Sequence, residues 1–368
     1  MRYRIEKDLL GEKQISAESY YGIHTLRGKE NLEILKRGIN RQMIKALAVI
    51  KKSIARVNAD YGYIDEKVAK AIMLSCDEFL NGRLHGQFIT DHMVGDGGAS
   101  INMNANEIIA NRANEMLGGK KGVYDLVDPI KDVNAKQTTY DVIPTAGKIA
   151  TRRQTKKLLV EMKKLQNALS VFVKEQKGTE YENHPIIKHF NGFVLVLSRD
   201  AVRLESAMAQ LLEINLASLS VDDPKYIKKL LINISKNTGE DFKESKNIFD
   251  TSCNLDSFNN LSSSLKVLAS DLSKIAKDLR VLIKDYEMIQ VTPTYENGTF
   301  VILDLIEQVN FYVLGLDTTI NAALASGEMF INNHLPLVLY ALFEELNSLR
   351  RVIRTFKEEF IEHTKIIF

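Results

Sequence analysis

Seven apolar residues, Leu261, Leu265, Leu268, Leu272, Ile275, Leu279 and Leu282, follow one another in steps of 4, 3, 4, 3, 4 and 3. That period puts all of them on one side of an α-helix. Lys266, Asp271, Lys274, Lys277 and Asp278 fall between them, so the opposite side is wet. A seam 22 residues long and this regular must be buried against others of its kind.

The chain supplies four more. Leu158, Met162, Leu165, Leu169 and Phe172 keep the same spacing, as do Leu197, Ala201, Leu204, Met208 and Leu211. Leu305, Val309, Tyr312, Leu316, Thr319 and Ala323 form another seam, and Leu342, Leu346, Leu349, Ile353, Phe356 and Phe360 the last. Pro185, Pro224, Pro293 and Pro336 lie between or at the ends of the stripes, where proline is tolerated. The expectation is an all-α fold: a long central five-helix bundle packed at shallow angles, with a small, mostly helical N-terminal domain. We place the boundary at 140, giving an N-terminal domain of 1–140 and a bundle domain of 141–368. Helices of roughly 30 residues span about 45 Å, more than a compact monomer core needs, so homo-oligomerisation is expected.

Before the bundle, residues 1–40 read as irregular, with turns at Gly11, Gly22 and Gly28. A helix is expected from an Asn40 N-cap to Val57, striped by Met43, Leu47, Ile50, Ile54 and Val57. A second runs from Ile64 to Leu80. A glycine-dense break, Gly95-Asp96-Gly97-Gly98-Ala99-Ser100, feeds a helix over Asn102–Leu117, and Val127 to Thr145 reads as a loop. No run of strand period competes with these readings.

Composition narrows the function classes. The 368 residues carry 49 basic and 47 acidic side chains, a net charge of +2, which gives no electrostatic case for a nucleic-acid or membrane-surface partner. No stretch approaches the roughly 20 apolar residues of a spanning helix, and MRYRIEKDLLGEKQIS lacks a signal-peptide core. Cys76 and Cys253 match no metal spacing and read as free thiols of a reducing, cytoplasmic compartment. His184, His189 and Glu182 have no metal spacing either, so neither metal nor cofactor is expected.

At GDGGASINMNANEIIANRANEMLGG the chain resembles the aspartase/fumarase superfamily, in its aspartate ammonia-lyase branch. RIEKDLLGEKQISAESYYGIHTLRGKENLEI is similar to the aspartase opening, and KDVNAKQTTYDVIPTAGKIA to the loop carrying a Ser-Thr-Asn-Asp type motif. TSCNLDSF, KIAKDLRVL and EQVNFYVLGLDTTINAALASGEMFINNHLPLVLYALFEELNSL keep the family order. The resemblance implies a helical protomer whose bundles join into a homotetramer, with sites shared between subunits. It also implies the elimination of ammonia from aspartate to give fumarate. That chemistry needs a base at a weakly acidic carbon and preorganised donors for the dianionic carboxylate that results.

The implied base is a serine on a loop of the form Gly-Ser-Ser-x-x-x-Pro-x-Lys-x-Asn. Here Thr292-Pro293-Thr294-Tyr295-Glu296-Asn297-Gly298-Thr299-Phe300-Val301-Ile302 stands before Glu307-Gln308-Val309, with no serine pair and no lysine. Thr294 or Thr299 would be a stiffer, weaker substitute. The Gly-Thr-Ser turn reads Gly98-Ala99-Ser100, and the Ser-Thr-Asn-Asp motif reads Thr138-Thr139-Tyr140-Asp141. Beside Thr179, Glu180 stands where the family has histidine or glutamine; its carboxylate would repel an anionic substrate by on the order of a few kcal/mol in a shielded pocket. The Gly-Thr-Gly-Leu-Asn turn is replaced by Leu216-Ala-Ser-Leu-Ser220, and the small C-terminal domain that closes the family site is expected to be absent.

What remains as substrate-binding candidates is Arg27, Ser100, Asn102, Thr138, Thr139 and Thr179, with no assignable catalytic residue. Each has a plain structural alternative: Arg27 as a bridge between segments, neighbouring His24 as a structural histidine, Asn102 and Asn106 as braces for the helix after the glycine turn. The expectation is a divergent ammonia-lyase-like protein of weak or lost activity, kept for assembly or for binding a small dicarboxylate or a protein partner. The alternatives are an active C–N lyase with a remodelled site, using Glu180, Tyr140 or Tyr295, and co-assembly with a full-length lyase.

Overall fold

The computed structural model describes residues 2–217, 220–294, 298–329 and 331–368, with backbone only at Thr299. Eleven α-helices and six short strands are present among them, and the five long stripes each become a helix. Two compact units emerge, each assembled from separate stretches of chain. The chain crosses between the units after Thr151, Gln210, Leu255, Ala322 and Tyr340.

The first unit comprises the chain to Thr151 with Leu211–Leu255 and Ala323–Tyr340. It begins with an antiparallel hairpin, β1 (Tyr3–Asp8) and β2 (Gly11–Ser16), in register Asp8 with Gly11 and Tyr3 with Ser16. Residues 1–40 are thus not irregular. The alternation was hidden because only Glu6 and Ile15 of the two strands are buried, and Glu6 is charged. Helices α1 (Ile23–Leu32), α2 (Arg41–Asp60), α3 (Glu66–Leu80) and α4 (Ala99–Met116) follow. Asn40 caps α2 by accepting from Gln42 N, and Met43, Leu47, Ile50, Ile54 and Val57 are all buried.

Helix α5 (Thr139–Glu175) starts inside the expected 127–145 loop. Asp141 accepts from the Thr138 backbone N at 3.0 Å, which starts the helix ahead of Pro144. Pro144 then costs it a single main-chain hydrogen bond. The unit is completed by strands β3 (Glu213–Ile214) and β4 (Lys243–Glu244), which pair in parallel, and by α7 (Pro224–Thr238) and α8 (Ile248–Cys253). Their stretch has Asp223 and Asn247 as N-caps.

The second unit holds Arg152–Gln210, Asp256–Ala322 and Ala341–Phe368. Here most of α5 packs with α6 (Pro185–Ala209), α9 (Asp256–Lys284), α10 (Gly298–Ala325) and α11 (Leu335–Glu359), and β5 (Ile289–Val291) pairs with β6 (Thr364–Ile366). From Leu261 to Leu279 the α9 seam is at most 1% exposed. On α10 the buried seam is Leu303, Ile306, Asn310, Val313, Asp317 and Ile320, whereas Leu305 and Tyr312 of the expected stripe are exposed. The difference is chemical. Asp317 interrupts the inner seam in sequence, but inside it pairs with Lys266 at 2.6 Å and accepts from Ser262 Oγ at 3.0 Å. Among the described residues, no helix is long and apolar enough to cross a membrane.

Candidate active site

Helix α4 carries an unusual load of buried polar side chains: Asn102, Asn104, Asn106, Glu107, Asn111 and Asn114. An inward-facing amide or carboxylate is stable only if something inside answers it. Most of these are answered by main chain. Asn104 accepts from Ile89 N at 3.0 Å and donates to Gln87 O at 3.2 Å. Asn111 donates to Tyr20 O and accepts from Gly122 N. Asn114 donates to Val127 O and accepts from Leu126 N and Val127 N.

Glu107 is the strongest of these braces. Its carboxylate accepts from Gly22 N (2.8 Å), His24 N (3.0 Å) and Thr25 N (3.1 Å), so it holds the first turn of α1. A Cβ at Gly22 would lie 2.6 Å from Glu107 Oε1 and closer still to the Tyr124 hydroxyl, so glycine leaves this carboxylate its room. The asparagine-rich motif is therefore chiefly a frame that fixes the loops around α4. Asn102 donates to Asn134 Oδ1 at 3.2 Å, while its own Oδ1 and the whole Asn106 amide have no partner among the described residues.

The glycine turn before α4 has two left-handed residues, Gly97 (φ +65°) and Gly98 (φ +96°). At Gly98 a Cβ would also meet Ile143 Cγ1 at 2.9 Å, so the site demands glycine twice over. Asp96 turns back onto the helix it precedes. Its Oδ1 accepts from Gly98 N at 2.9 Å, and its Oδ2 from Ser100 N at 2.9 Å and from the Ser100 hydroxyl. Ser100 packs against Gly28 of α1. Tyr140 and Asn333 lie beside Gly97, where a Cβ would come within 3.4 Å of the Tyr140 ring and 3.0 Å of Asn333 Oδ1.

Arg27, one residue from Gly28, forms a two-point pair with Asp8. Nε donates to Oδ2 at 2.7 Å and Nη2 to Oδ1 at 2.9 Å, and Nη2 also reaches Gly11 O at 3.1 Å. The Arg27 guanidinium holds the Asp8 carboxyl below its ordinary range. This arginine ties the hairpin to α1, as the bridging alternative describes. The exposed His24 contributes a backbone N–H.

Thr138 and Thr139 stand half-buried at the start of α5, with Tyr140 exposed beside them. Asp141, buried below, accepts from Thr138 N and Ala217 N, each at 3.0 Å. Burial raises the Asp141 carboxyl to about 7. Lys51 of α2, also fully buried, donates to Asn134 Oδ1 at 2.8 Å, and burial lowers its ammonium to about 7. Opposite charges on Lys51 and Asp141 partly offset these costs. Sequence reasoning missed Lys51. It follows Leu47 by four residues and precedes Ile54 by three, a seam position that could have marked it.

Thr179 belongs to the other unit, on an exposed turn where its hydroxyl donates to Gln176 O at 2.8 Å. Glu180 is exposed next to it, and its hydrogen bond raises the Tyr181 phenol. Thr292–Thr294 are exposed, and Thr292 N donates to His363 O at 3.0 Å. Tyr295 and the side chain of Thr299 lie outside the described residues. The structure therefore brings Ser100, Tyr140 and the glycine turn together, and separately links Asn102 and Lys51 through Asn134. Among the described residues no cluster of His, Cys, Asp and Glu could hold a metal.

A helix filled with buried asparagines behind a glycine turn is the feature that comparison with known proteins places. A family model described as "Lyase" matches residues 11–179. Aspartate ammonia-lyase of Bacillus subtilis is 35% identical, the alignment covering 97% of this chain and 80% of the relative. That of a Bacillus species is 33% identical over 98% and 83%. A crystal structure of a fumarate lyase:delta crystallin from Brucella melitensis superposes with a TM-score of 0.92 at 30% identity, covering 99% of this chain and 89% of that one. The chain belongs to the aspartase/fumarase superfamily and, within it, to the aspartate ammonia-lyase branch.

Proposed function

We propose that this protein is a divergent ammonia-lyase-like member of its branch in which β-elimination of aspartate is weak or lost. Its role is non-catalytic, in helical assembly, in a cytoplasmic homotetramer. One observation carries the reading: the groups an anionic substrate would need are already held by carboxylates of the chain itself. Asp96 takes the Ser100 hydroxyl and two N–H groups at the start of α4, and Asp8 takes Arg27. The sequence from Thr292 to Ile302 also offers neither serine nor lysine. Assembly is supported by apolar residues left exposed on the bundle helices, among them Leu195 (51%), Val202 (65%) and Phe311 (61%).

The alternative is an active C–N lyase on aspartate or a related amino acid with a remodelled site. The names of the relatives favour it. Ultraviolet absorbance of fumarate, followed with purified protein and saturating aspartate, separates the two. The proposal expects release at the blank or far below one turnover per second; a turnover of about one per second or faster, ordinary for enzymes, would establish the alternative.

A further inference from the structure

We infer that the cavity between the C-terminal end of α1 and residues 88–91 is a second ligand site, for a small doubly charged oxyanion of the phosphate class. The inference goes beyond the reading of the protein as a non-catalytic lyase relative and holds whichever way that reading falls. The cavity measures about 190 Å³ and belongs wholly to the first unit. Its walls carry three cations: Lys29 from the last turn of α1, and Lys36 and Arg37 from the segment that follows. Two carboxylates, Glu33 and Asp91, stand against them.

Asp91 does little to neutralise these cations, because it is spent on the main chain. Its Oδ2 accepts from Ile34 N (3.0 Å), Leu35 N (2.6 Å) and Lys36 N (2.9 Å), and its Oδ1 from Met93 N (3.0 Å). Four N–H dipoles offset its charge and fix the segment that bears Lys36 and Arg37. Arg37 is steadied in turn, Nη1 donating to the Tyr340 hydroxyl at 2.8 Å. The ammonium groups of Lys29 and Lys36 meet no acceptor among the described residues, Glu33 included. Lys36 also stands at φ +53°, where glycine would cost less, so the backbone does not select lysine there. Two ammonium groups brought to one small cavity repel each other, and an anion between them removes that cost. Size narrows the ligand. A water takes about 30 Å³, so the cavity has room for a tetrahedral oxyanion with part of its hydration, whereas pockets for drug-sized molecules begin at roughly 300 Å³. Oxygens pointing in several directions can meet cations from separate segments at once, which the two coplanar oxygens of a carboxylate cannot.

Isothermal titration of the full-length protein with inorganic phosphate, in excess sodium chloride, tests this. The expected result is saturable binding to wild type, weakened about tenfold or more in Lys36→Gly and likewise in Lys29→Gln. Lys36→Gly suits the left-handed backbone, so it removes the ammonium while leaving the fold at least as stable, which thermal melting by circular dichroism checks. Should that variant melt below wild type, Lys29→Gln, at a half-buried helical position, decides. Absence of saturable binding to wild type overturns the inference. So does binding that the variants retain, which would mark an adventitious ion only. Glycerol phosphate titrated in parallel separates two sources of the same chemistry: a monoester that binds as tightly as inorganic phosphate makes the ligand a small phosphorylated molecule, and one that binds more weakly makes it the free ion.

Discussion

Glu107 and Glu345 are both buried carboxylates, yet they meet different fates. Three backbone N–H groups answer Glu107, so replacing it leaves them unsatisfied at about 1–3 kcal/mol each. Glu107→Ala is expected to lose on the order of 3 kcal/mol or more in urea unfolding; a loss below about 1 kcal/mol would remove its bracing role. Glu345 has no such donors. It shares the Ser262 hydroxyl, 3.0 Å from each, with Asp317, and burial raises its carboxyl well above the ordinary 4.5. One hydroxyl proton cannot serve two carboxylates, so a protonated Glu345 donates to Ser262, which donates to Asp317, itself paired with Lys266. A carboxyl raised in the folded state stabilises fully below its unfolded value, and that stability is lost as pH rises toward the folded value. Melting temperatures at pH 5 and pH 8 should therefore fall more in wild type than in Glu345→Gln; equal falls would contradict the assignment. Little of this was legible in sequence. Arg27, Ser100 and Asn102 were singled out by motif, but the partners of Arg27 and Asn102, Asp8 and Asn134, are brought up by chain reversals that no local pattern encodes.

At the scale of elements, the seams were legible and the faces only partly so. Period alone located α5, α6, α9, α10 and α11, because long regular repeats are the strongest signal a sequence carries. On α10 it chose the wrong face: apolar counting prefers Leu305 and Tyr312, whereas the inner face contains Asp317, whose pairing with Lys266 only the fold reveals. The β1–β2 hairpin and α7 were missed for a related reason, being short and heavily charged. The α9 seam should be the most sensitive to truncation. Leu272→Ala opens a cavity at a residue 1% exposed and is expected to cost about 2–5 kcal/mol, read as a lowered denaturation midpoint. A shift under about 0.5 kcal/mol would mean that this part of the seam is not core.

For the molecule as a whole, the outer stripe of α10 is an apolar face that a single 41.6 kDa chain leaves in water. Light scattering on the eluting protein should give a multiple of that mass, and Leu305→Asp should lower it without loss of helical signal. A monomeric wild type would end the assembly reading. Preservation of this framework beside a site filled by its own carboxylates is the central claim, and proton removal from carbon is the step it denies. The most direct measurement is therefore nuclear magnetic resonance of aspartate incubated with the protein, fumarate and ammonium in deuterated water. The account predicts β-carbon deuterium no higher than in a protein-free control; protein-dependent deuteration at that carbon would contradict it.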